Sequence, residues 1–314
     1  MKKIAILGHQ EVTKILSENL YELGFEPVII SLSAAKGNNI SEYVNLRDYC
    51  RDRLLSFYEI EDYSLKSDDS AIFFNQNKFD FVFVVGWSRL IPENILNESG
   101  AKFIGWHGGP FAPPRCRGRA VVNWSILNNE TDFFIYTMIL KPGVDDGDLI
   151  EIRSISISSS ETARSLYIKC AFELGEMLPN YLDDGYIFKV IKQSDEKASF
   201  LPKRSPSDGE IDWTLPANTI ERLIRALSYP FPSAWSKINN EVILIKRGKS
   251  LDYGKNTISK SGQIHHVTEA DELVVCTGRG YLLVEEYESI NGTQLKRGEL
   301  FQSSENLINP TINY

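Results

Sequence analysis

This chain has few of the residues from which metal centres, disulfide frameworks and membrane anchors are built. Its four cysteines, Cys50, Cys116, Cys170 and Cys276, form no CxxC pair and no Cys/His grouping. That scatter argues against a zinc site, so no metal is expected. It also argues against a disulfide scaffold and suits a reducing, cytoplasmic compartment. Long apolar runs are missing as well. The opening MKKIAILGHQ has two lysines, but its apolar stretch spans only Ile4 to Leu7. No segment approaches a signal-peptide core or a membrane span, and no membrane partner is expected. Basic residues are outnumbered, with Lys+Arg 34 against Asp+Glu 42 and a net charge of -8. A broadly cationic nucleic-acid surface is thereby not indicated, although local basic clusters remain open. The first turn also lacks the GxGxxG of dinucleotide sites, since Gly8-His9-Gln10 runs on into Glu11, Val12 and Thr13. It reads as a plain tight βα turn; His9 stands at a strand's C-terminal end, where ligands bind in open sheets, and is expected to cap the helix or face solvent.

What is present reads as α/β. At 314 residues and 42% hydrophobic, the chain can bury one large core or two smaller ones. Lys3 to Leu7, Pro27 to Ser31, Phe79 to Val85 and Phe103 to Trp106 are continuous apolar runs, as strands buried on both faces of a parallel sheet require. Helical periodicity runs through Val12, Ile15, Leu16, Leu20 and Leu23. Phe133 to Leu140 and Leu149 to Ile157 predict later strands, and Glu161 to Asp184 a long helix stopped at Gly185. A polar, turn-rich joint follows at Lys203 to Gly209, then a helix from about Pro216 to Leu227. Beyond Ala234, short β-type runs at Val242–Ile245, Thr257–Ser259, Glu272–Cys276 and Tyr281–Tyr287 predict a small antiparallel barrel. The expected organisation is residues 1–200 as one domain and 201–314 as a second.

The chemistry concentrates between Phe103 and Trp124, FIGWHGGPFAPPRCRGRAVVNW. An apolar run ends at His107 and enters a Gly/Pro-rich turn with Arg115, Arg117 and Arg119 beyond it. A strand that delivers a histidine to such a turn presents a proton-transfer group to an anionic substrate. Downstream, Gly143-Val144-Asp145-Asp146-Gly147-Asp148 supplies an acidic turn able to orient that histidine. The bland alternatives are a buried structural histidine, an Asx-turn aspartate and a solvated basic turn.

Several of these segments, in order, resemble the folate-dependent formyltransferases. The family has a Rossmann-like N-terminal catalytic domain with a mainly parallel sheet and an OB-like β-barrel C-terminal domain. Its members move a formyl group from N10-formyltetrahydrofolate to an amine. His107 stands at the family histidine and Asp145 at the family aspartate, which makes these two the expected catalytic residues. Gly86-Trp87-Ser88-Arg89-Leu90-Ile91 resembles the loop whose backbone holds the pterin ring, and with Asp146 it is the expected folate site. Trp87 is expected near the folate and Trp124 in packing. Pro202 to Gly209, Ile211-Asp212-Trp213 and Leu223 to Ala226 resemble the start of the second domain.

Arg117-Gly118-Arg119-Ala120, followed by Asn123-Trp124, is most similar to enzymes acting on nucleotide-linked 4-amino sugars in lipopolysaccharide or glycan biosynthesis. The resemblance therefore implies a nucleotide-linked amino sugar as partner, with a homodimer as a possible assembly. Arg117 and Arg119 would grip its diphosphate, since converging guanidinium groups offer forked donors. Lys203 and Arg204 would contribute further cations or an interdomain salt bridge. Initiator-tRNA formylation and a non-catalytic folate or sugar-nucleotide binding protein are the alternatives. One departure stands out: the family asparagine two residues before the histidine is Gly105. A lost oxyanion donor typically costs ~10²–10³ in rate. Backbone N–H groups of Gly108 and Gly109, Ser88 or Asn123 are the expected replacements. A different acyl donor, or a loss of catalysis, would also account for the glycine.

Overall fold

The computed structural model describes residues 2–37, 40, 42–252 and 260–303, grouped in two compact units. The first unit comprises residues up to Val121, Asp132–Ser156 and Tyr167–Leu201; the second takes Val122–Thr131, Ile157–Leu166 and everything from Pro202. A single break near residue 200 does not capture the two short excursions, because each contributes only about ten residues to a unit that lies elsewhere in the chain.

The first unit is built on β1 (Ile4–Leu7), β2 (Val28–Leu32), β3 (Phe57–Ile60), β4 (Phe81–Val84), β5 (Lys102–Gly109), a two-residue β6 (Arg117–Gly118), β7 (Asp132–Ile139) and β8 (Asp148–Ser156). Seven of these form one sheet in the order β3-β2-β1-β4-β5-β7-β8. The first five strands run parallel, and β7 and β8 add to the edge antiparallel. Every residue of β1 and β4 is buried, as the unbroken apolar runs require. The chain winds outward from β1 in both directions, so the sheet order reverses between β1 and β4. A crevice opens at the C-terminal ends of strands at such a reversal. Gly8, His9 and Gly86 occupy that place, with the His9 N–H donating to the Gly86 carbonyl (3.1 Å).

The helix Glu11–Glu22 packs Val12, Leu16 and Leu20 inward at four-residue spacing. Thr13 fixes its start: its hydroxyl accepts the Gln10 N–H (3.2 Å) and donates to the Val85 carbonyl (2.6 Å). The helix expected over Glu161–Asp184 is shorter, Ala163–Met177, and continues as a 3₁₀ turn, Leu178–Leu182. Pro179 has no N–H to continue the α-helical ladder, so the chain tightens there. The strand at His107 is longer than expected. It continues through Gly108 and Gly109, because Ile135 and Phe134 of β7 still pair with them. The histidine therefore lies within the sheet, and the turn begins after Gly109. Side chains would not fit there: a Cβ on Gly108 would stand 2.5 Å from the Phe133 ring, and one on Gly109 2.8 Å from the Cys116 Cβ.

The strand β9 (Phe200–Leu201) pairs in parallel with β6 and closes the first unit. In the second unit β10 (Ala234–Ile238), β11 (Glu241–Leu251), β12 (Ile264–Val267), β13 (Leu273–Cys276) and β14 (Tyr281–Ser289) form an antiparallel sheet ordered β10-β11-β14-β13-β12. Both outer strands are bridged to one segment, since Lys237 pairs with Gln302 and Gln263 with Leu300. That double bridging closes the sheet into the OB-like barrel. The run Thr257–Ser259 lies outside the described residues. Trp213, 1% exposed, stacks on Phe301 (4.8 Å) and donates from Nε1 to the Ser236 hydroxyl (3.0 Å). The helix Ala217–Ala226 buries Ile220, Leu223 and Ile224 on one face. Among the described residues no helix is long and apolar enough to cross a membrane, and no three or more His, Cys, Asp or Glu side chains group so as to hold a metal ion.

Candidate active site

β5 and β6 bring the two expected proton-transfer residues together. His107 is 9% exposed, with its Nε2 at 2.9 Å from the Cys116 carbonyl. A carbonyl only accepts, so Nε2 carries the hydrogen. Nδ1 is then the ring atom left to exchange a proton, and it faces the Asp145 Oδ2 at 3.6 Å. That same Oδ2 accepts the Gly118 N–H (2.9 Å). One short segment, Cys116 to Gly118 at β6, thus holds both groups, by the carbonyl of Cys116 and the amide of Gly118. Asp145 has φ +49°, a left-handed conformation that aspartate tolerates better than most residues. Tyr136, opposite His107 on β7, turns its ring edge-on to the imidazole (centroids 5.8 Å). Its hydroxyl is buried without a partner, and burial pushes its pKa well above the usual phenol range.

The other expected residues divide. Gly86 adopts φ +82°, and a Cβ there would meet the Thr13 hydroxyl at 2.6 Å, so only glycine fits this loop. The Ser88 N–H donates to the Tyr63 hydroxyl (3.3 Å), Arg89 lies over the Tyr63 ring (4.9 Å), and Leu90 is exposed. Ile91 is a core residue and anchors the loop. Trp87 does not offer an open stacking face: it is 9% exposed, edge-on to Tyr63 (4.8 Å) and His9 (5.6 Å). Next to Asp145, Asp146 buries its Oδ1 without a partner.

Arg117 is not a free phosphate grip. Its side chain is 3% exposed, with Nη1 on Asp195 (2.7 Å) and Nη2 on Gln193 (3.3 Å). It points inward because β9 covers the strand that carries it. Arg119, two residues on, is exposed, and its backbone N–H donates to the Leu201 carbonyl (3.1 Å). Its charge also reaches Glu42, whose carboxyl burial pushes up to about 7. In the second unit, Arg204 donates to the Asp208 carbonyl (2.6 Å) and stacks on Trp124 (4.7 Å), so its guanidinium is committed to packing. Lys203 is exposed. Trp124 is buried, with Nε1 on the Pro202 carbonyl (3.0 Å).

Two expected oxyanion donors are spent elsewhere. Asn123 is 2% exposed and donates to the Ala226 carbonyl (2.6 Å). Gly109 is excluded by the ladder. Leu140 N–H donates to the Phe103 carbonyl (3.0 Å), and residues of an antiparallel pair alternate between bonded and non-bonded positions. Gly105, His107 and Gly109 therefore bond to β7, while the Gly108 N–H points to the opposite edge, beyond the end of β4. The place of the absent asparagine side chain is filled as well. A Cβ on Gly105 would lie 2.5 Å from the Leu140 Cδ2. Gly105→Asn is accordingly expected to destabilise the fold by about 1–3 kcal/mol through overpacking. Denaturant midpoints should show a smaller cost in a Leu140→Ala background, and equal costs in both would reject Leu140 as the obstacle.

Residues that the sequence did not single out complete the arrangement. Cys116 and Gly118 act through backbone atoms, which carry no residue-type signal. Gln193 lies in a polar stretch of ordinary composition. His9, expected to cap the helix or face solvent, is fully buried, with Nε2 at 3.0 Å from the Tyr63 hydroxyl.

Comparison with known proteins agrees with the fold. Residues 3–182 match the formyl transferase family model, and residues 203–305 match the model of the formyl transferase C-terminal domain. The methionyl-tRNA formyltransferase of Caldanaerobacter subterraneus is 31% identical over 211 residues, 67% of this chain and 66% of that protein. The match thus spans about two thirds of that relative's length. Among solved structures, WlaRD, a sugar 3N-formyl transferase crystallised with dTDP and 5-N-formyl-THF, superimposes with a TM-score of 0.60 at 18% identity, covering 93% of this chain and 98% of that one. An N-formyltransferase from Helicobacter canadensis, in complex with folinic acid and dTDP-3-aminofucose, gives a TM-score of 0.62 at 16% identity, covering 92% of this chain and 100% of that one. At these identities the structures show a shared fold. With both of its compact units matched by family models, the chain belongs to the formyl transferase family.

Proposed function

We propose that this protein transfers a formyl group from N10-formyltetrahydrofolate to the amine of a nucleotide-linked amino sugar, with residues 1–200 as the catalytic domain and 201–314 as an OB-like domain. The carrying observation is the His107–Asp145 pair, held by one short segment at the C-terminal end of a sheet beside the reversal in strand order. The folate co-substrate supplies the activated formyl carbon. The neutral amine attacks that carbon, its new C–N bond replaces the bond to N10, and the departing nitrogen takes a proton. His107 is the carrier of that proton, because its Nδ1 is free of backbone partners and Asp145 lies opposite to balance the charge of the imidazolium. Gly108, whose N–H is turned away from β7, is the candidate donor to the oxyanion.

The loop from Gly86 to Ile91 is the pterin site of this reading. The partnerless Asp146 Oδ1 fits the N–H groups of a pterin, which would relieve a buried acceptor. Arg119 is the exposed cation of the first unit that this reading assigns to phosphate, and the sugar reading draws support from the ligands of the two sugar N-formyltransferase neighbours. The 31% identity to a methionyl-tRNA formyltransferase favours a second reading, tRNA as acceptor. Incubation with N10-formyltetrahydrofolate and either a panel of nucleotide-linked amino sugars or methionyl-tRNA separates the two. A sugar nucleotide heavier by one formyl group supports the proposal. Formyl-methionyl-tRNA as sole product replaces it with the second reading, and folate binding with no product reduces the protein to a binder.

A further inference from the structure

The stretch between the two matched family regions, residues 183–202, contains contacts that converge on the acidic turn. We infer that Gln193 is a positioning residue, which locks the turn carrying Asp145 and thereby sets its approach to His107. The inference rests on the reading of those two residues as the proton-transfer pair.

Gln193 Nε2 donates to two backbone carbonyls of the turn, Asp145 O (2.9 Å) and Gly147 O (2.8 Å). Its Oε1 accepts from Arg117 Nη2 (3.3 Å). Both amide hydrogens and the oxygen are thus engaged, which leaves this side chain one orientation. The backbone beside it is fixed too. Ile191 and Leu149 exchange both hydrogen bonds (2.8 and 2.9 Å), so residues 191–193 run along the entrance to β8. Farther on, the Cys116 N–H donates to the Ser199 hydroxyl (3.0 Å) and the Arg117 N–H to the Ser199 carbonyl (2.9 Å). The stretch from Ile191 to Leu201 therefore grips the acidic turn at one end and the Cys116–Gly118 segment at the other. These are the two pieces of backbone that hold Asp145 and His107.

The physical need for such a strap lies in the turn itself. Asp145 sits at φ +49°, which a side-chain-bearing residue leaves readily unless its surroundings hold it. Relaxation toward negative φ would rotate its peptide and draw Oδ2 off the Gly118 amide. The 3.6 Å separation from His107 would change with it. Donation to two carbonyls opposes that rotation. It also gives the buried Arg117 a role: its guanidinium orients the glutamine, with Asp195 balancing its charge.

The test uses the full chain uniformly labelled with ¹⁵N, so that its four histidines report separately. His107 ring resonances are assigned by their loss in His107→Ala. In Gln193→Met, which keeps the side-chain length but removes every hydrogen bond, those resonances are expected to move while the His9 resonances stay. Turnover, measured with the acceptor that yields product in the panel above, is expected to fall about tenfold with KM for both substrates little changed. Gln193→Glu is the second variant. It can accept from Arg117 but, ionised, cannot donate to the carbonyls, and the same shift and loss are expected. Melting temperatures close to the parent confirm that the fold is intact. Unmoved His107 resonances with parental kcat in either variant would overturn the inference. A His107→Ala enzyme with full turnover would instead remove the proton-transfer reading, and moved resonances in Gln193→Met would still support the strap.

Discussion

Replacing His107 by alanine is expected to lower formyl transfer by about 10²–10⁴-fold, the range typical for removal of a positioned general acid–base. The reason is geometric. Nε2 is tied to the Cys116 carbonyl, so only Nδ1 can move protons, and alanine leaves Asp145 with no imidazole to face. The fold is expected to survive, because β5 remains paired on both sides, with β4 through Gly105 and with β7 through Gly109. The Cys116 carbonyl loses one partner, which costs about 1–3 kcal/mol. Steady-state turnover and a thermal melt on the same preparation check both statements. Parental turnover in a well-folded His107→Ala protein would exclude the histidine from the mechanism.

The second large effect is on stability and comes from His9. Burial holds its imidazole down at about 4, against 6.5 for the ordinary group, and its own backbone hydrogen bond opposes the shift only in part. The ring is enclosed by Tyr63 and Trp87, with Nδ1 buried and partnerless. Protonation would place a charge in an enclosure where only the residue's own backbone answers it, too little to offset the burial. The folded value lies below the unfolded one, so the neutral ring's contribution is fully present above pH 6.5. It is lost progressively as the pH falls from 6.5 to 4, and this group adds no further loss below that. The total is about 3 kcal/mol. Urea midpoints measured from pH 7 to pH 4 are expected to fall more steeply for the parent than for His9→Gln, which cannot titrate. Parallel pH profiles would show that His9 does not carry the dependence.

This histidine marks where sequence reading of the site fails. A lone histidine after a short strand looks the same whether it faces solvent or fills a core. Tyr63 and Trp87, which decide the matter, lie more than fifty residues away. The arginines illustrate the same limit from the other direction. Arg117 and Arg119 are indistinguishable as members of a basic run, and only the pairing of β6 with β9 separates them. One ends 3% exposed against Asp195, and the other reaches outward. Asn123 and Gly109 failed as oxyanion donors for a related reason: a hydrogen-bond donor is available only if the fold has not already used it.

The departure at Gly105 keeps its importance but changes its form. It is more than a missing side chain, because Leu140 occupies the space into which an asparagine would project. The oxyanion donor is therefore proposed on backbone, at the Gly108 amide, which the β5–β7 ladder leaves pointing away from β7.

Local patterns in the chain were enough to determine the α/β class, the buried parallel strands, the barrel-forming runs and the pairing of a strand-borne histidine with an acidic turn. The elements depend on apolar periodicity and glycine, which act between near neighbours, and the histidine and the acidic turn were marked by residue type. The direction of β7 and β8, the inward turn of Arg117, the burial of His9 and the convergence of Cys116, Gly118 and Gln193 on the site were decided only by tertiary structure. Each is a contact made through backbone atoms or between residues far apart in the chain, and neither leaves a mark on local composition.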